Sequence, residues 1–486
     1  MKYIKFLATA LTGLMTFTSC GDFGDTNVDP NNPSTPDTRF LFTYACKDVP
    51  DFTLNGTYDP WTQYYPQYYA ERQNVQYTGY AQTDFNTGPY YYATIRNLNT
   101  IISLNENEAT SGQSYVVQLG STENQIAACR TLRAFVYMHL TDIVGMIPYS
   151  EAVLGDENIF NPKYDTQEFI YEDLDRDLKE AYAQFNESGT LDSNYDILYA
   201  GNIARWKKLN ASIRMMMAIK LSDVDPAAGK TRFAQAYADG GIVDNDDRLE
   251  YKYLAETANQ NPLYDNVIVS GRKDFAPSKT LLDQLNAYND PRVEVYADPN
   301  SEGKYEGVPF CITQSEIVNY TDCASFDPRF YQQNSPMVSI SAAHILLIQA
   351  EAAVRGWISA DAETLYKAGI AASFGFYDLA DKFDAYYAQP TIAFSGSEQE
   401  KIEKIAMQRW LANFMHDGVE AWSDWRRLNV PKLKPGTAAT VTHIPYRRIY
   451  YPDDYATNVD NYNAAIAAQG ADNFDTRVWW DVAPNE

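Results

Sequence analysis

Apolar side chains recur at three- and four-residue steps along much of this chain, and that spacing is the pattern of an amphipathic α-helix. The clearest instance is the segment 124–144, whose apolar positions are Ile126, Cys129, Leu132, Phe135, Val136, Leu140 and Ile143. The same spacing predicts further helices over 167–186, 203–222, 341–356, 361–374 and 398–416. Some of these segments are neighbours joined by a short turn, so stacked helical hairpins of the tetratricopeptide kind are expected, although no clean repeat of ~34 residues is visible.

Long irregular stretches separate the helical segments. The three longest lie near 55–92, 240–275 and 296–336, and each is rich in Asn, Asp, Gly, Pro and Tyr. Loops longer than about 15 residues are uncommon in compact domains unless they carry a function. The sequence thus predicts a mainly α fold, in which tetratricopeptide-like helix pairs form a scaffold for long irregular loops and only few short strands occur. We expect this fold to be one domain spanning 39–486.

The N-terminus has the pattern of an export signal. Lys2 and Lys5 precede an apolar run that ends at Phe17, and small residues then lead to Cys20. This arrangement predicts a lipoprotein signal peptide over 1–19, with Cys20 acylated as the first mature residue. Plain secretion with cleavage near Ser19 is the alternative. The segment 20–38 is rich in Asp, Asn and Pro and is expected to be an extended tether.

Charge and motifs exclude several classes of function. The chain carries 39 basic and 64 acidic side chains, a formal charge of −25, which disfavours nucleic acid as a partner. The four histidines have no metal-binding spacing, and no Walker loop, GxGxxG or Gly-x-Ser-x-Gly elbow occurs. We therefore expect neither a cofactor nor a metal, and we interpret the acidic run 244–247 as a solvated turn rather than a calcium loop. Cys311 and Cys323 could pair in an oxidising compartment.

Several motifs in a fixed order resemble the SusD/RagB-type outer-membrane lipoproteins. They include Tyr149-Ser-Glu-Ala, the segment 162–171, Trp206-Lys-Lys-Leu-Asn, Asp274-Phe-Ala-Pro-Ser, Asp290-Pro-Arg, the segment 347–357, Gly418–Arg427 and Asp475–Asp481. The resemblance implies a scaffold of four tetratricopeptide-like helix pairs and a glycan as the usual ligand. It also implies a SusC-type TonB-dependent transporter as partner and a lipid-anchored position on the outer membrane, exposed at the cell surface.

Most of these motifs have a structural interpretation. Trp422 and Trp425 lie three residues apart on one predicted helix face, where packing is the expected role. Glu351 and Arg355 are spaced for an intrahelical ion pair. The motifs therefore identify a family without locating a ligand site.

Aromatic rings form 14% of the chain, and flat rings with polar rims suit the faces of sugars. The densest cluster is 58–92, which also contains Tyr90, Tyr91 and Tyr92. From it we expect ligand contacts by Trp61, Tyr64, Tyr68, Tyr77, Tyr80 and Phe85, although helix-like steps among the first three also favour packing. Tyr77, Tyr80 and Phe85 are the better candidates for exposure. Two later loops add Tyr264, Arg272, Asp274, Tyr305, Tyr320 and Phe326.

These observations favour a non-catalytic binding lipoprotein that captures an oligosaccharide, or another oligomeric nutrient, and delivers it to the transporter. No catalytic residue is assigned. An all-helical glycoside hydrolase is one alternative, because its clefts would have a similar aromatic composition. A surface adhesin that uses the Tyr-rich loops only against another protein is the other.

Overall fold

The computed structural model describes residues 36–54, 61–73, 77–80, 84–272 and 274–482. The predicted signal peptide, Cys20 and nearly all of the predicted tether lie outside these residues. Within them, no helix combines the length and the apolar character that crossing a bilayer requires.

Helices dominate the fold, as predicted. Those of nine or more residues in the described chain are α1 (Thr38–Leu54), α2 (Arg96–Glu106), α3 (Thr122–Val144), α4 (Gln167–Gln184), α5 (Ile203–Lys220), α6 (Pro226–Ala238), α7 (Lys279–Ala287), α8 (Ala342–Val354), α9 (Ala362–Phe376), α10 (Glu398–Ala412), α11 (Gly418–Leu428) and α12 (Val459–Gln469). The six helices predicted from apolar spacing correspond to α3, α4, α5, α8, α9 and α10 and are confirmed. Shorter helical turns of three to six residues lie in the loops.

Polar side chains fix where the long helices begin. An Asp, Asn, Ser or Thr oxygen just before the first turn accepts a hydrogen bond from a backbone N–H that would otherwise have no partner. The residues in this role are Thr166, Asn202, Asp225, Ser341, Asp361, Ser397 and Asp417. At α10 the cap is reciprocal, because Glu400 also accepts from the backbone N–H of Ser397. The caps therefore define the first turn of each of these helices.

Successive long helices pack against each other in pairs. The pairs are α3 with α4, α5 with α6, α8 with α9, and α10 with α11. In the third pair, a Cβ added to Gly369 would lie 2.6 Å from the Leu347 side chain, so glycine permits the close approach of the two helices. Four helix pairs of the tetratricopeptide type thus form the scaffold.

The strands are short and pair in twos. They are β1 (Tyr69–Glu71), β2 (Asp84–Phe85), β3 (Ile147–Pro148), β4 (Tyr164–Asp165), β5 (Leu249–Tyr251), β6 (Phe275–Pro277), β7 (Ala297–Asp298), β8 (Ser325–Phe326), β9 (Met337–Ile340) and β10 (Ile449–Tyr450). The ladders are β1–β6, β3–β4, β5–β9 and β7–β8, all antiparallel, and the parallel pair β2–β10. Each ladder ties two loops that are distant in sequence or closes one turn.

A fully buried ion cluster joins three of the long helices. The carboxylate of Glu351 on α8 accepts hydrogen bonds from Arg427 on α11 at 2.5 and 2.8 Å and from Arg409 on α10 at 3.1 Å. Arg355, one turn along α8, adds a contact at 2.9 Å, which confirms the predicted intrahelical pair. Burial alone would raise the pKa of Glu351, but the surrounding guanidinium groups outweigh burial and hold it well below its usual value.

A second buried cluster centres on Asp142 in α3. One oxygen of this carboxylate accepts from the Tyr171 hydroxyl at 2.6 Å and from the Trp480 indole at 2.7 Å. The other accepts from the ammonium of Lys220, which also contacts Glu420. The Trp480 contact anchors the C-terminal segment onto the helical body.

The cysteines carry no cross-link in the described structure. Cys46, Cys129 and Cys311 are buried, Cys323 is half-buried, and all four are free thiols. The considered pairing of Cys311 with Cys323 is therefore not present.

Replacing Glu351 tests the role of the first cluster. Glu351→Gln removes the carboxylate that three arginines share and leaves Asp424 as the remaining carboxylate partner of Arg409 and Arg427. We expect it to lower the free energy of unfolding by about 3–5 kcal/mol. Urea unfolding measures the change. Glu302→Gln is the matched control, since it removes an exposed ion pair with Lys304 and should change stability by about 1 kcal/mol or less. Equal effects of the two substitutions would contradict the account.

The same carboxylate predicts a pH dependence. Because the folded-state pKa of Glu351 lies below the ordinary value of 4.5, the unfolded chain takes up this proton first as the pH falls. Glu351 therefore stabilises the fold at neutral pH, and this contribution is lost progressively below about pH 5. We expect the stability difference between wild type and Glu351→Gln to shrink between about pH 7 and pH 3. A difference that does not depend on pH would show that the cluster is not ionised as described.

Candidate functional site

The aromatic residues at the start of the dense cluster lie in the core. Trp61, Tyr64 and Tyr68 are buried, with at most 4% of each side chain exposed. The guanidinium of Arg448 lies 4.4 Å from the centre of the Trp61 ring, and the Tyr68 hydroxyl donates to the carbonyl of Trp410 at 2.5 Å. Of the two interpretations considered for these three residues, packing is the one that the structure supports.

The exposure expected for Tyr80 and Phe85 is wrong. Tyr80 is 2% exposed and packs edge-on against Tyr65, with ring centres 5.3 Å apart. Phe85 is 6% exposed and lies between Trp61 and Tyr90, at 5.5 and 5.9 Å. Phe85 is buried because strand β2 pairs with β10 from the far end of the chain, and Tyr80 packs in addition against Phe310, with ring centres 5.8 Å apart. Local sequence encodes neither contact. Tyr77 begins a short turn, and its side chain lies outside the described part of the structure.

The two later loops converge on strand β1. The backbone N–H of Arg72 donates to the carbonyl of Asp274 at 2.6 Å, and its guanidinium donates to the carbonyls of Cys323 and Ala324. The predicted contact residues Arg272 and Asp274 form an ion pair at 2.6 Å. The structure therefore brings these predicted loops together.

The remaining predicted residues of these loops differ in burial. Phe326 is buried against Tyr69, with ring centres 4.5 Å apart, and so presents no free face. Tyr264, Tyr305 and Tyr320 are half-buried and lie outside the cleft described next. Contact of these three tyrosines with a ligand stays a prediction.

A cleft of about 660 Å³ lies elsewhere on the surface, between the ladders β2–β10 and β3–β4. That volume falls within the roughly 300–1,000 Å³ range of small-molecule sites. Its aromatic lining residues are Tyr91, Tyr92, Phe160, Tyr164, Tyr450 and Tyr451. We call it the aromatic cleft. Tyr91 and Tyr92 belong to the aromatic cluster noted in the sequence, whereas the residues from 147–164 and 450–458 were not predicted to bind a ligand.

The inner wall of the aromatic cleft is rigidly held. The Tyr91 hydroxyl donates to the carbonyl of Pro148 at 2.7 Å, and the Tyr450 hydroxyl donates to the carbonyl of Met146 at 2.5 Å. Tyr164 packs edge-on against Tyr450, with ring centres 5.7 Å apart. These hydroxyls are already bonded within the protein, so the inner rings offer mainly apolar surface.

The rim of the aromatic cleft carries free rings. Tyr92 and Phe160 are each 72% exposed, an unusual degree of exposure for large aromatic side chains. A Cβ added to Gly88 would lie 3.4 Å from Oδ1 of Asp454 and 3.7 Å from the Tyr92 ring. A carboxylate and an exposed ring therefore flank one glycine at the edge of the cleft.

The charged groups of the aromatic cleft are carboxylates, which accept hydrogen bonds. Oδ2 of Asp454 accepts from both the backbone N–H and the hydroxyl of Thr87, each at 2.8 Å, which fixes the orientation of the carboxylate. Burial raises the pKa of Asp454, and the hydrogen bonds from Thr87 oppose that rise. Asp453 and Asn86 are exposed beside it, and the described lining contains no Lys, Arg or His. Apolar ring faces beside fixed acceptors can bind a molecule that has C–H faces and hydroxyl donors.

Two clusters of potential metal ligands are occupied by protein groups. Oxygen and nitrogen ligand atoms of His139, Asp417 and Glu420 lie within 4.8 Å of one another. His139 is bonded to Asp417 at 2.7 Å, and the ammonium of Lys220 contacts Glu420. In the acidic run 244–247, Asp247 forms an ion pair with Lys208 at 2.6 Å. Side-chain cations and hydrogen bonds thus compensate these carboxylates.

A family model and several solved structures are similar to this chain. The SusD-like family model, described as starch-binding and associating with the outer membrane, matches residues 30–452. A solved chitin-binding protein is 27% identical and has a TM-score of 0.77, with 92% of this chain and 100% of that chain covered. No curated protein sequence matches significantly.

Two further solved structures share the fold. A SusD homologue from Bacteroides fragilis is 24% identical over 92% of this chain and 99% of its own, with a TM-score of 0.79. A chitin-binding SusD homologue from Flavobacterium johnsoniae is 22% identical over 92% of this chain and 100% of its own, with a TM-score of 0.76.

The burial of Phe85 and the exposure of Tyr92 predict a large and a small effect on stability, respectively. Phe85→Ala removes a packed ring, and we expect it to lower the free energy of unfolding by about 3–5 kcal/mol. Tyr92→Ala removes an exposed ring and should change that free energy by about 0.5 kcal/mol or less. Urea unfolding of both variants provides the comparison. A wild-type stability for Phe85→Ala would mean that its ring is not in the core.

Proposed function

The chain belongs to the SusD-like family, and we propose that it is a non-catalytic lipoprotein that binds an oligosaccharide in the aromatic cleft. The observation that carries this proposal is the pairing of exposed rings with fixed carboxylates, at Tyr92, Phe160 and Asp454. A pyranose presents C–H groups on its faces and hydroxyls on its edge. The rings suit the faces, and the acceptors suit the hydroxyls.

The charge of the cleft supports an uncharged ligand. Asp453 and Asp454 line it, and no cationic side chain in the described lining balances them. An acidic saccharide would therefore be repelled, whereas a neutral one can donate hydroxyl hydrogens to both carboxylates. Chitin, named for two of the solved relatives, is a neutral polymer and fits this requirement.

The strength of binding is expected to be moderate. Each exposed ring contributes about 1 kcal/mol by stacking, and only two rings are more than half exposed at the rim. The inner tyrosines are already hydrogen-bonded to the protein and add little directional binding. A moderate affinity suits a protein that must release its cargo, because dissociation slows as affinity rises.

Release would be directed towards a SusC-type TonB-dependent transporter in the outer membrane. Three features support this part of the proposal: the family to which the chain belongs, the predicted acylation of Cys20 and the loop-bearing surface of the helical scaffold. An acylated Cys20 would hold the protein at the outer membrane, and the segment 20–38 would give it reach.

Substitution of the rim rings tests the ligand site. Tyr92→Ala and Phe160→Ala are each expected to weaken oligosaccharide binding about fivefold, because each removes one stacking face. Isothermal titration with neutral oligosaccharides, chitin and starch fragments first, measures the change. Phe40→Ala is the matched control, since Phe40 is 60% exposed but does not line the cleft.

Three outcomes would contradict the proposal. If a saccharide binds wild type, Tyr92→Ala, Phe160→Ala and Phe40→Ala with equal affinity, its binding site lies outside the aromatic cleft. New reducing ends after incubation with a bound glycan would show turnover and favour the glycoside hydrolase. No heat with any glycan of a broad neutral panel would instead favour the adhesin.

Cys20→Ser tests the anchor and the transporter. Without acylation the exported protein should move from the outer-membrane fraction to the soluble fraction, and its co-purification with the transporter should fall. Fractionation followed by immunoblotting gives the distribution. A variant that stays fully in the membrane fraction would contradict anchoring through Cys20.

A further inference from the structure

A second cleft has the opposite charge. It has a volume of about 640 Å³ and is lined by residues of the segment 429–446 together with Trp425. Lys432, Lys434 and His443 line it, whereas none of its described lining residues is Asp or Glu. We call it the basic cleft. The chain has a formal charge of −25, yet this cleft is lined by cationic and no anionic side chains, so charge is unevenly distributed over the protein.

The lysines of the basic cleft are available to a ligand. Both side chains are exposed. Among the described residues, no carboxylate lies within ion-pair distance of either lysine. Their backbone is nevertheless fixed, because the carbonyl of Lys434 accepts from the Gln67 side chain at 2.7 Å. Farther along the segment, the Thr440 hydroxyl donates to the carbonyl of Gly79 at 3.0 Å. The two ammonium groups are thus presented from an anchored loop.

The floor of the basic cleft is aromatic. The rings of Trp425 and Tyr446 lie nearly parallel, with 11° between their planes and 6.4 Å between their centres. The guanidinium of Arg477, which forms an ion pair with Asp481 at 2.7 Å, lies 3.7 Å from the centre of the Tyr446 ring. The Trp425 side chain is 4% exposed, and its indole N–H has no acceptor among the described residues.

An unpaired buried donor is unfavourable, and it points to the kind of group that would relieve it. A ligand oxygen that enters beside Trp425 would supply the missing acceptor. An anionic oxygen would in addition interact with Lys432 and Lys434. Asp475 contacts His443 at 3.2 Å, whereas the two lysines have no such carboxylate contact, so their ammonium groups suit a carboxylate or a sulfate.

We propose that the basic cleft binds the anionic group of an acidic saccharide. The inference rests on the proposed function only in that the ligand is a carbohydrate, since it concerns a different cleft and different residues. The aromatic cleft takes neutral sugar units, and the basic cleft takes a unit that carries a carboxylate or a sulfate.

The net charge limits the size of this anion. A charge of −25 repels a polyanion such as nucleic acid, whereas attraction by two lysines acts mainly within about 8 Å at physiological ionic strength. A ligand with one or a few anionic groups can bind directly at the lysines. It is attracted by the two ammonium groups and is only weakly repelled by the net negative charge of the protein.

Isothermal titration of the full-length protein with trigalacturonate and with a sulfated chondroitin disaccharide tests the proposal. We expect at least one of them to bind, and Lys432→Gln with Lys434→Gln to weaken that binding about tenfold. The double variant Lys230→Gln with Lys252→Gln is the control, because it removes the same charge from exposed positions elsewhere. The methyl ester of trigalacturonate, which keeps the shape and loses the charge, should bind about tenfold more weakly than the acid.

The outcomes separate this inference from the proposed function. Neutral oligosaccharides should bind the Lys432 and Lys434 variant as they bind wild type, and they should lose affinity in Tyr92→Ala. Binding of neither acidic probe would overturn the inference and leave the proposed function intact. Acidic probes that respond equally to both double lysine variants, or that respond to Tyr92→Ala alone, would also overturn it.

Discussion

The buried carboxylate of Glu351 is the constraint on which the arrangement of the helix pairs depends. It lies in the core on α8 and binds arginines from α10 and α11, so three helices of two successive pairs meet at one charge. A buried ion is costly unless its partners are placed correctly, and for that reason such a cluster favours one packing over near alternatives. Asp142 has a comparable role in the second buried cluster, where its carboxylate accepts hydrogen bonds from Lys220, Tyr171 and Trp480.

The fixed scaffold positions two clefts that differ in chemistry. The aromatic cleft lies between β2–β10 and β3–β4, so distant segments of the chain meet there on short ladders. The basic cleft follows α11, whose last turns carry both Trp425 and the Arg427 of the core cluster. A core charge and a residue that lines the basic cleft therefore share one helix.

The sequence predicts the scaffold better than the site. Apolar spacing located six long helices, because a helix buries a face that recurs within a few residues. Exposure of a single ring has no such local signature. Trp61 is buried by Arg448 and Trp422, more than 350 residues away in the chain, and Phe85 is buried by pairing with β10. The aromatic cluster in the sequence contains Tyr91 and Tyr92, whereas Phe160 and Asp454 join them only through the tertiary fold.

The central claim is that the aromatic cleft holds a saccharide. A crystal structure of the protein with a bound chitin or starch oligosaccharide tests it most directly. The account predicts electron density for a sugar unit stacked on Tyr92 or Phe160, with a hydroxyl within hydrogen-bond distance of Asp454. Ordered sugar bound only at the loops around Arg72 and Asp274, with the aromatic cleft empty, would contradict it.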